Sequence, residues 1–470
     1  MAKNEAILHP VKNIHGGATL AHHKNTAETV SAVMPAPKQV VIAMQQHIGA
    51  PCTPLVKKGD TVYVGTKIGD SDKYISAPIH SSVSGTVTGI GSLLLPSGQT
   101  VETVIIESDG QMTPDPDLKP PVVETAEDLV KAARDSGLVG LGGAGFPSHV
   151  KLTMNPEKPI DTLIVNGAEC EPFITSDYRE SVENTENILE GILFLKKLLG
   201  IKNAIIAVEN NKPKSISMMH SVIENVLGDK MSLDVTDDEK TQALYKIAAD
   251  ERDVDNSIQL MRLKSRYPQG AEKVIIYTTT GRKLPLGKLP SDVGCLVMNI
   301  TSISFLNKYL KTGMPLVSKT VTVDGGAVRE PKNVVVPIGT SIADVIEFCG
   351  GYKAPARKIL YGGPMMGNAV IDANMPILKQ NNAILALDRK QAEKRVESPC
   401  IRCGRCAKAC PMNLQPLEIE SQLRIGNIEA VKALYVEYCM ECGSCSFACP
   451  AKRHLTQVMR MAKAEVKNLK

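Results

Sequence analysis

Eight of the twelve cysteines fall in two runs near the C-terminus: Cys400, Cys403, Cys406, Cys410 and then Cys439, Cys442, Cys445, Cys449. Each run reads C-x2-C-x2-C-x3-C-P, closed by Pro411 or Pro450. A disulfide framework suits a short secreted chain. This one has 470 residues, and its start, Met1-Ala-Lys-Asn-Glu, lacks the basic-then-apolar order of a secretory signal. Zinc sites usually take four ligands from two separated pairs, whereas here four thiols arise in one short run, twice. The spacing is that of [4Fe–4S] ligation in two-cluster proteins, where the fourth cysteine crosses to the other cluster. The expected sets are Cys400, Cys403, Cys406 with Cys449, and Cys439, Cys442, Cys445 with Cys410. Between the runs, apolar residues at helical spacing predict two short helices broken at Gly426-Asn427. Cys52, Cys170, Cys295 and Cys349 stand singly and read as packing residues, with Cys170 set apart by its neighbours.

Composition narrows the partners. A chain of this length predicts roughly three domains. A net charge of +4, 4% aromatics and no Trp argue against nucleic-acid binding. No apolar run reaches the roughly 18–20 residues of a membrane span. A soluble, cytoplasmic chain reaching a membrane only through partner subunits is expected. The basic, amphipathic stretch from Leu455 onward reads as a solvated terminal helix.

From about 35 to 110 the sequence alternates Val, Ile and Thr with Gly punctuation, a series of short strands. Lys58-Gly59-Asp60 through Gly65, then Ala77-Pro78 and Ser84-Gly85, resembles the barrel-sandwich hammerhead of biotinyl and lipoyl domains. Asp72-Lys73 sits where a carrier lysine would, but without its usual sequence context, so it reads as a solvated turn. A Pro/Asp-rich linker spans Pro114–Pro121. Beyond it, Thr125 with Asp128 predicts a capped helix to about Asp135. The glycine-dense loop Gly137-Leu-Val-Gly-Leu-Gly-Gly-Ala-Gly-Phe-Pro147 follows. Strands at 161–165 and 203–208 alternate with helices at about 181–199 and 212–227, which points to a largely parallel sheet with ligands at its carboxyl end. The glycine loop follows a helix rather than a first strand, so it is not the dinucleotide fingerprint. Its glycines let backbone amides approach a phosphate or a flat ring.

Gly142-Gly-Ala-Gly-Phe-Pro147 with Lys151, followed by Val165-Asn-Gly-Ala-Glu-Cys-Glu-Pro172, resembles the flavin- and NADH-binding subunit of respiratory complex I. It is still more similar to the RnfC component of the Rnf electron-transport complex, and the likeness covers nearly the whole chain. The resemblance implies an α/β multidomain fold. Its parts would be a barrel-sandwich domain (1–115), a Rossmann-like FMN/NAD(H) domain (120–315), a soluble-ligand-binding β-grasp domain (316–375) and an α-helical two-cluster ferredoxin-type domain (385–470). It implies FMN held non-covalently, NAD(H) and two [4Fe–4S] clusters as cofactors. The implied FMN and NAD(H) contacts are Gly140, Gly142, Gly143, Gly145, Phe146, Lys151, Asn166, Glu169, Tyr267, Gly270, Glu272 and Asn299. Ala271 and the Asn166-Gly-Ala-Glu stretch depart from the complex I pattern, and His15-Gly-Gly-Ala departs from the Rnf pattern. No site is attached to the latter.

The residue types suit that chemistry. Glycine walls and Phe146 allow a hydride donor and a flavin to stack. Lys151 would favour an anionic reduced flavin, and Glu169 would bind a ribose or carboxamide. Hairpin, strand and helix from about 318 to 350 resemble the β-grasp domain, here an interdomain brace. Met365-Met366, in the tight turn Gly362–Gly367, reads as loop packing with a partner surface as the rival. The implied activity is that of an NAD(H)-linked oxidoreductase subunit of an ion-translocating ferredoxin:NAD oxidoreductase. It would sit peripherally on the cytoplasmic face of the membrane, with other subunits, among them a ferredoxin-like one, as partners. The rival readings are a soluble flavin/iron–sulfur reductase resembling cobalamin reductase, and a scaffold whose clusters are structural.

Overall fold

The computed structural model describes residues 12–96, 98–227, 231–232, 244–248 and 257–469, with side chains at 224–257 left aside; the opening pentapeptide lies outside them. The first strands are β1 (Ala32–Val33), β2 (Gln39–Ala43), β3 (Thr53–Pro54), β4 (Thr61–Val62), β5 (Lys67–Asp70), β6 (Ile79–His80), β7 (Gly85–Leu94) and β8 (Thr100–Ser108). They form two antiparallel sheets, β2-β8-β7-β4 and β3-β5-β6. Val40 and Ile42 on β2 and Val104 and Ile106 on β8 meet Ile68 and Ile79 of the second sheet in one core. That spacing of two is what a strand with one buried face requires. Lys73 lies exposed on the turn after β5.

Thr125 caps α1 (Ala126–Asp135): its hydroxyl accepts from the Asp128 amide at 3.1 Å, and the Asp128 carboxylate accepts the Thr125 amide at 3.0 Å. After the glycine loop come α2 (Ser148–Leu152) and β9 (Thr162–Gly167). The helix expected over 181–199 is two, α3 (Ser176–Glu183) and α4 (Thr185–Leu199), separated at Asn184, whose φ of -132° leaves helical space. Then follow β10 (Asn203–Glu209), α5 (Pro213–Leu227), β11 (Met231–Ser232), β12 (Leu244–Ala248), β13 (Ser257–Leu263), α6 (Glu272–Thr280), β14 (Cys295–Asn299) and α7 (Ile300–Thr312). The sheet order is β11-β12-β13-β10-β9-β14, with β13, β10, β9 and β14 parallel. Leu163 and Val165 face one core and Ile164 the other. Burial on both faces is why β9 reads as an unbroken apolar run. Register aligns Asn166 with Asn299, so the carboxyl ends of β9 and β14 stand side by side.

The next elements are β15 (Ser318–Asp324), β16 (Lys332–Pro337), α8 (Ile342–Phe348), β17 (Lys358–Tyr361), β18 (Asn368–Ala369) and β19 (Ala383–Leu387). Their sheet runs β1-β16-β15-β19-β17-β18. It reaches outside 316–375 at both ends. β1 joins from the N-terminal region, and β19, wholly buried, lies between β15 and β17.

The C-terminal part is helical: α9 (Arg405–Lys408), α10 (Pro416–Arg424), α11 (Ile428–Ala433), α12 (Ser444–Ala448) and α13 (Leu455–Asn468). The break between α10 and α11 falls at Gly426-Asn427 as read, and the Asn427 side chain accepts the Ala430 amide at 3.2 Å. The terminal helix is not a free solvated one. Met459, Ala462 and Val466 on one face of α13 pack with Ile419 of α10 and Val431 of α11.

Lys379 ties three of these parts together. Its fully buried ammonium donates to the carbonyls of Pro78 (2.6 Å) and Gly137 (2.7 Å). Burial outweighs the opposing influence of Cys52 and Asp70 and lowers the lysine from 10.5 to about 7. Between those values the unfolded chain holds more protons than the native one, so this lysine makes stability rise with pH from about 7 toward 10.5. Thermal unfolding of Lys379→Met should therefore show a smaller gain in stability between pH 7 and pH 9 than the parent chain; equal gains would contradict this account.

Candidate functional site

The two cysteine runs are brought around two separate cavities, both partly open to solvent. Cys400, Cys403, Cys406 and Cys449 line the outer one, with Ile401 and Arg453. Cys410, Cys439, Cys442 and Cys445 line the inner one, with Met440 and Met459. Each run reaches its cavity by the same turn: a left-handed glycine, Gly404 (φ 71°) or Gly443 (φ 79°), then a short helix, α9 or α12. Cys400 and Cys403 are exposed, whereas Cys410, Cys442, Cys445 and Cys449 are buried. Backbone amides of Arg402, Leu414 and Glu441 donate to Cys400, Cys410 and Cys439 sulfurs, each at 3.4 Å.

Among the described residues, no three His, Cys, Asp or Glu side chains converge closely enough to hold a single metal ion. Four thiols set around a cavity fit a polynuclear cluster better than zinc, whose sulfurs close to about 2.3 Å from one centre. Burial pushes the Cys439 thiol up to about 11 and Cys445 to about 12. Ligands must be deprotonated, so a cationic core has to offset that cost. All twelve cysteines are free, and Cys52, Cys295 and Cys349 are buried, as packing residues should be.

The second constellation lies where β9 and β14 end. Gly142, Gly143 and Ala144 are exposed at the loop tip. The loop is closed by Gly140, whose amide donates to the Phe146 carbonyl at 2.8 Å. Gly143 has φ +111°, and a Cβ there would meet only Asn382, at 3.9 Å. Gly145 packs against the Gln380 side chain, whose Oε1 is buried without a hydrogen-bond partner. An open glycine tip beside an unanswered acceptor fits a flat, hydrogen-bonding ligand such as a flavin. Asn299 caps α7 by accepting the Ser302 amide at 3.1 Å and donates to Asp177 at 2.7 Å. Asn166 donates to the Gly270 carbonyl at 2.8 Å. Lys151 pairs with Glu272 at 2.6 Å, both about one-third exposed, so its positive charge is already offset.

Two expected contacts lie elsewhere. The Glu169 side chain, 3% exposed, accepts the amides of Asp177 (2.7 Å) and Tyr178 (3.3 Å) at the start of α3. Burial raises its carboxyl to about 7 and lowers the neighbouring Lys24 to about 8. Its carboxylate thus anchors the start of α3. Tyr267 is 2% exposed and packs with Ala18, Leu20 and Cys442, on the side of the inner cavity. Sequence reasoning missed Asp177, Gln380 and Asn382. Gln380 and Asn382 come from a different part of the chain, and nothing local marks them.

Comparison with known proteins follows the same division. Family models match at residues 12–111 (RnfC barrel sandwich hybrid domain), 133–307 (Nuo51 FMN-binding domain), 320–369 (SLBB domain) and 399–453 (4Fe-4S dicluster domain). A relative from Acetobacterium woodii, the C component of a Na(+)-translocating ferredoxin:NAD(+) oxidoreductase complex, is 38% identical, covering 94% of each chain. The chain belongs to the RnfC family, the C components of ion-translocating ferredoxin:NAD(+) oxidoreductase complexes. Within that family, the C component of the proton-translocating complex of Clostridium ljungdahlii is 39% identical over 86% of this chain and 83% of its own. The corresponding component of the ion-translocating complex of Rhodobacter capsulatus is 35% identical over 90% and 78%. A solved NAD+-reducing [NiFe]-hydrogenase is similar at 16% identity and TM-score 0.49, over 74% of this chain and 64% of its own. RnfC chains are oxidoreductase subunits, and FMN and [4Fe–4S] clusters are the cofactors of this one.

Purified without oxygen, the chain should carry about eight irons. Cys449→Ser should damage the site built on Cys400, Cys403 and Cys406 although it lies in the other run. Two zinc ions per chain, or an EPR spectrum in which Cys449→Ser removes the other cluster instead, would contradict the assignment.

Proposed function

We propose that the chain exchanges hydride with NAD(H) at FMN and passes single electrons through the inner and then the outer cluster to other subunits, one of them ferredoxin-like. The complex would hold it peripherally on the cytoplasmic face of the membrane. FMN, when bound, supplies the step between a two-electron nicotinamide and one-electron clusters. One observation carries the reading. The inner cavity abuts the glycine-loop domain through the Tyr267–Cys442 contact, while the outer cavity exposes Cys400 and Cys403. That order supports an entry side and an exit side on one chain.

In this reading the four units are a barrel-sandwich domain, a Rossmann-like domain, a β-grasp brace and a ferredoxin-type domain. The brace contributes Gln380 and Asn382 to the ligand face. Gly140, Gly142, Gly143 and Gly145 form the wall that lets flavin and nicotinamide stack, with Phe146 at its exit. Asn166, Gly270 and Asn299 shape the floor, and Lys151 with Glu272 forms a charged rim that an anionic ligand group would reopen. The four cysteines lining each cavity are its proposed iron ligands. The N-terminal barrel-sandwich block and the full-length similarity to RnfC relatives favour this over a soluble reductase of the cobalamin type.

Among the described residues no helix is long and apolar enough to cross a membrane. Expressed without its partners, the chain should stay in the supernatant and reduce an artificial acceptor with NADH. Quantitative binding to bare lipid vesicles at physiological salt would contradict this. Gly143→Val should lose FMN and keep its iron, because the side chain intrudes at the exposed loop tip and lies in a different domain from the clusters. Full flavin with normal NADH oxidation in that variant would disprove the placement.

A further inference from the structure

Among the described residues Tyr267 is the largest side chain enclosed to 2% exposure, and its hydroxyl is a buried polar atom without a hydrogen-bond partner there. A buried hydroxyl left unpaired is costly, so such a group in a native chain calls for an acceptor supplied by something bound. The ring is held in place from outside. Its backbone pairs with Ala18 in both directions, at 2.8 and 3.0 Å, and the adjoining Gly17 amide donates to the Ala409 carbonyl at 2.9 Å. Around it lie Ala18, Leu20 and Cys442, with Cys170, Met365 and Met440 at the edge. The ionisable groups near the phenol are Glu171, Cys170 and Cys442. The Glu171 oxygens already accept the Met365 amide (3.1 Å) and the Met366 amide (2.9 Å). Cys442 lines the inner cavity.

Resting on the function proposed above, we infer that the Tyr267 hydroxyl donates a hydrogen bond to sulfur of the inner [4Fe–4S] site, and so sets that site's reduction potential apart from the outer one. Reduction adds negative charge that the sulfurs share, so a donor aimed at them stabilises the reduced state and raises the potential. Tyr267 is thus a positioning and tuning residue of the electron path, not a flavin contact.

Tyr267→Phe keeps the ring, removes the O–H and breaks no hydrogen bond within the protein. In an EPR-monitored redox titration of the anaerobically purified full chain, the inner cluster of this variant should titrate at lower potential with the outer cluster unmoved. The inner signal is identified as the one perturbed by Cys442→Ser. Placing 3-fluorotyrosine at 267, a stronger donor of the same shape, should move the same potential upward. An unmoved inner potential in both variants, or equal shifts of both clusters, would overturn the inference while leaving the function standing. A parent chain without two cluster signals would overturn both.

Discussion

Each cysteine cavity is completed by a thiol from the other run, Cys449 in the outer and Cys410 in the inner. Neither half of the C-terminal domain can then form its site alone. The two runs must be held side by side, and the core of Ile419, Val431, Met459, Ala462 and Val466 does this by packing α13 across α10 and α11. The helices between the runs are therefore not a spacer. They hold the two runs so that each cavity takes a thiol from the other run.

The same domain is fixed to the rest of the chain by the stretch beginning at His15. Gly16 has φ +63°, and a Cβ there would lie 2.8 Å from the Cys410 carbonyl oxygen. At Gly17, with φ +74°, it would lie 2.3 Å from the Tyr267 carbonyl oxygen. Only glycine passes between these two backbones. The N-terminal strand of chain is thus a clasp between the α/β domain and the inner cavity. On the other side, Lys379, Gln380 and Asn382 bring the third sheet's connection onto the glycine loop and the barrel-sandwich region. The ligand face is consequently built by parts far apart in sequence.

Much of this was legible in the sequence where the signal is local. The cysteine spacing anticipated two groups of four, the Thr125–Asp128 box anticipated the start of α1, and the run at 161–165 anticipated a strand of a largely parallel sheet. What was not legible depends on partners distant along the chain. Asn184 breaks a helix whose periodicity runs straight through it. Glu169 lies in a motif resembling a cofactor contact, yet its positive φ of 43° turns it onto the amides that open α3. Tyr267 belongs to a similar motif, but the N-terminal clasp and Cys442 enclose it. The role of the His15-Gly-Gly stretch could not be read because its constraint is the carbonyl of Cys410, almost the whole chain away.

Nicotinamide chemistry and two one-electron sites are connected within this one chain. The most direct test is to reduce the isolated, cofactor-replete protein with dithionite, remove the reductant, add NAD(+) and follow cluster EPR and NADH absorbance together. Both cluster signals should decay as NADH forms, and Gly143→Val, lacking flavin, should keep its clusters reduced. Cluster signals that persist in the parent chain while its flavin reoxidises would contradict that connection.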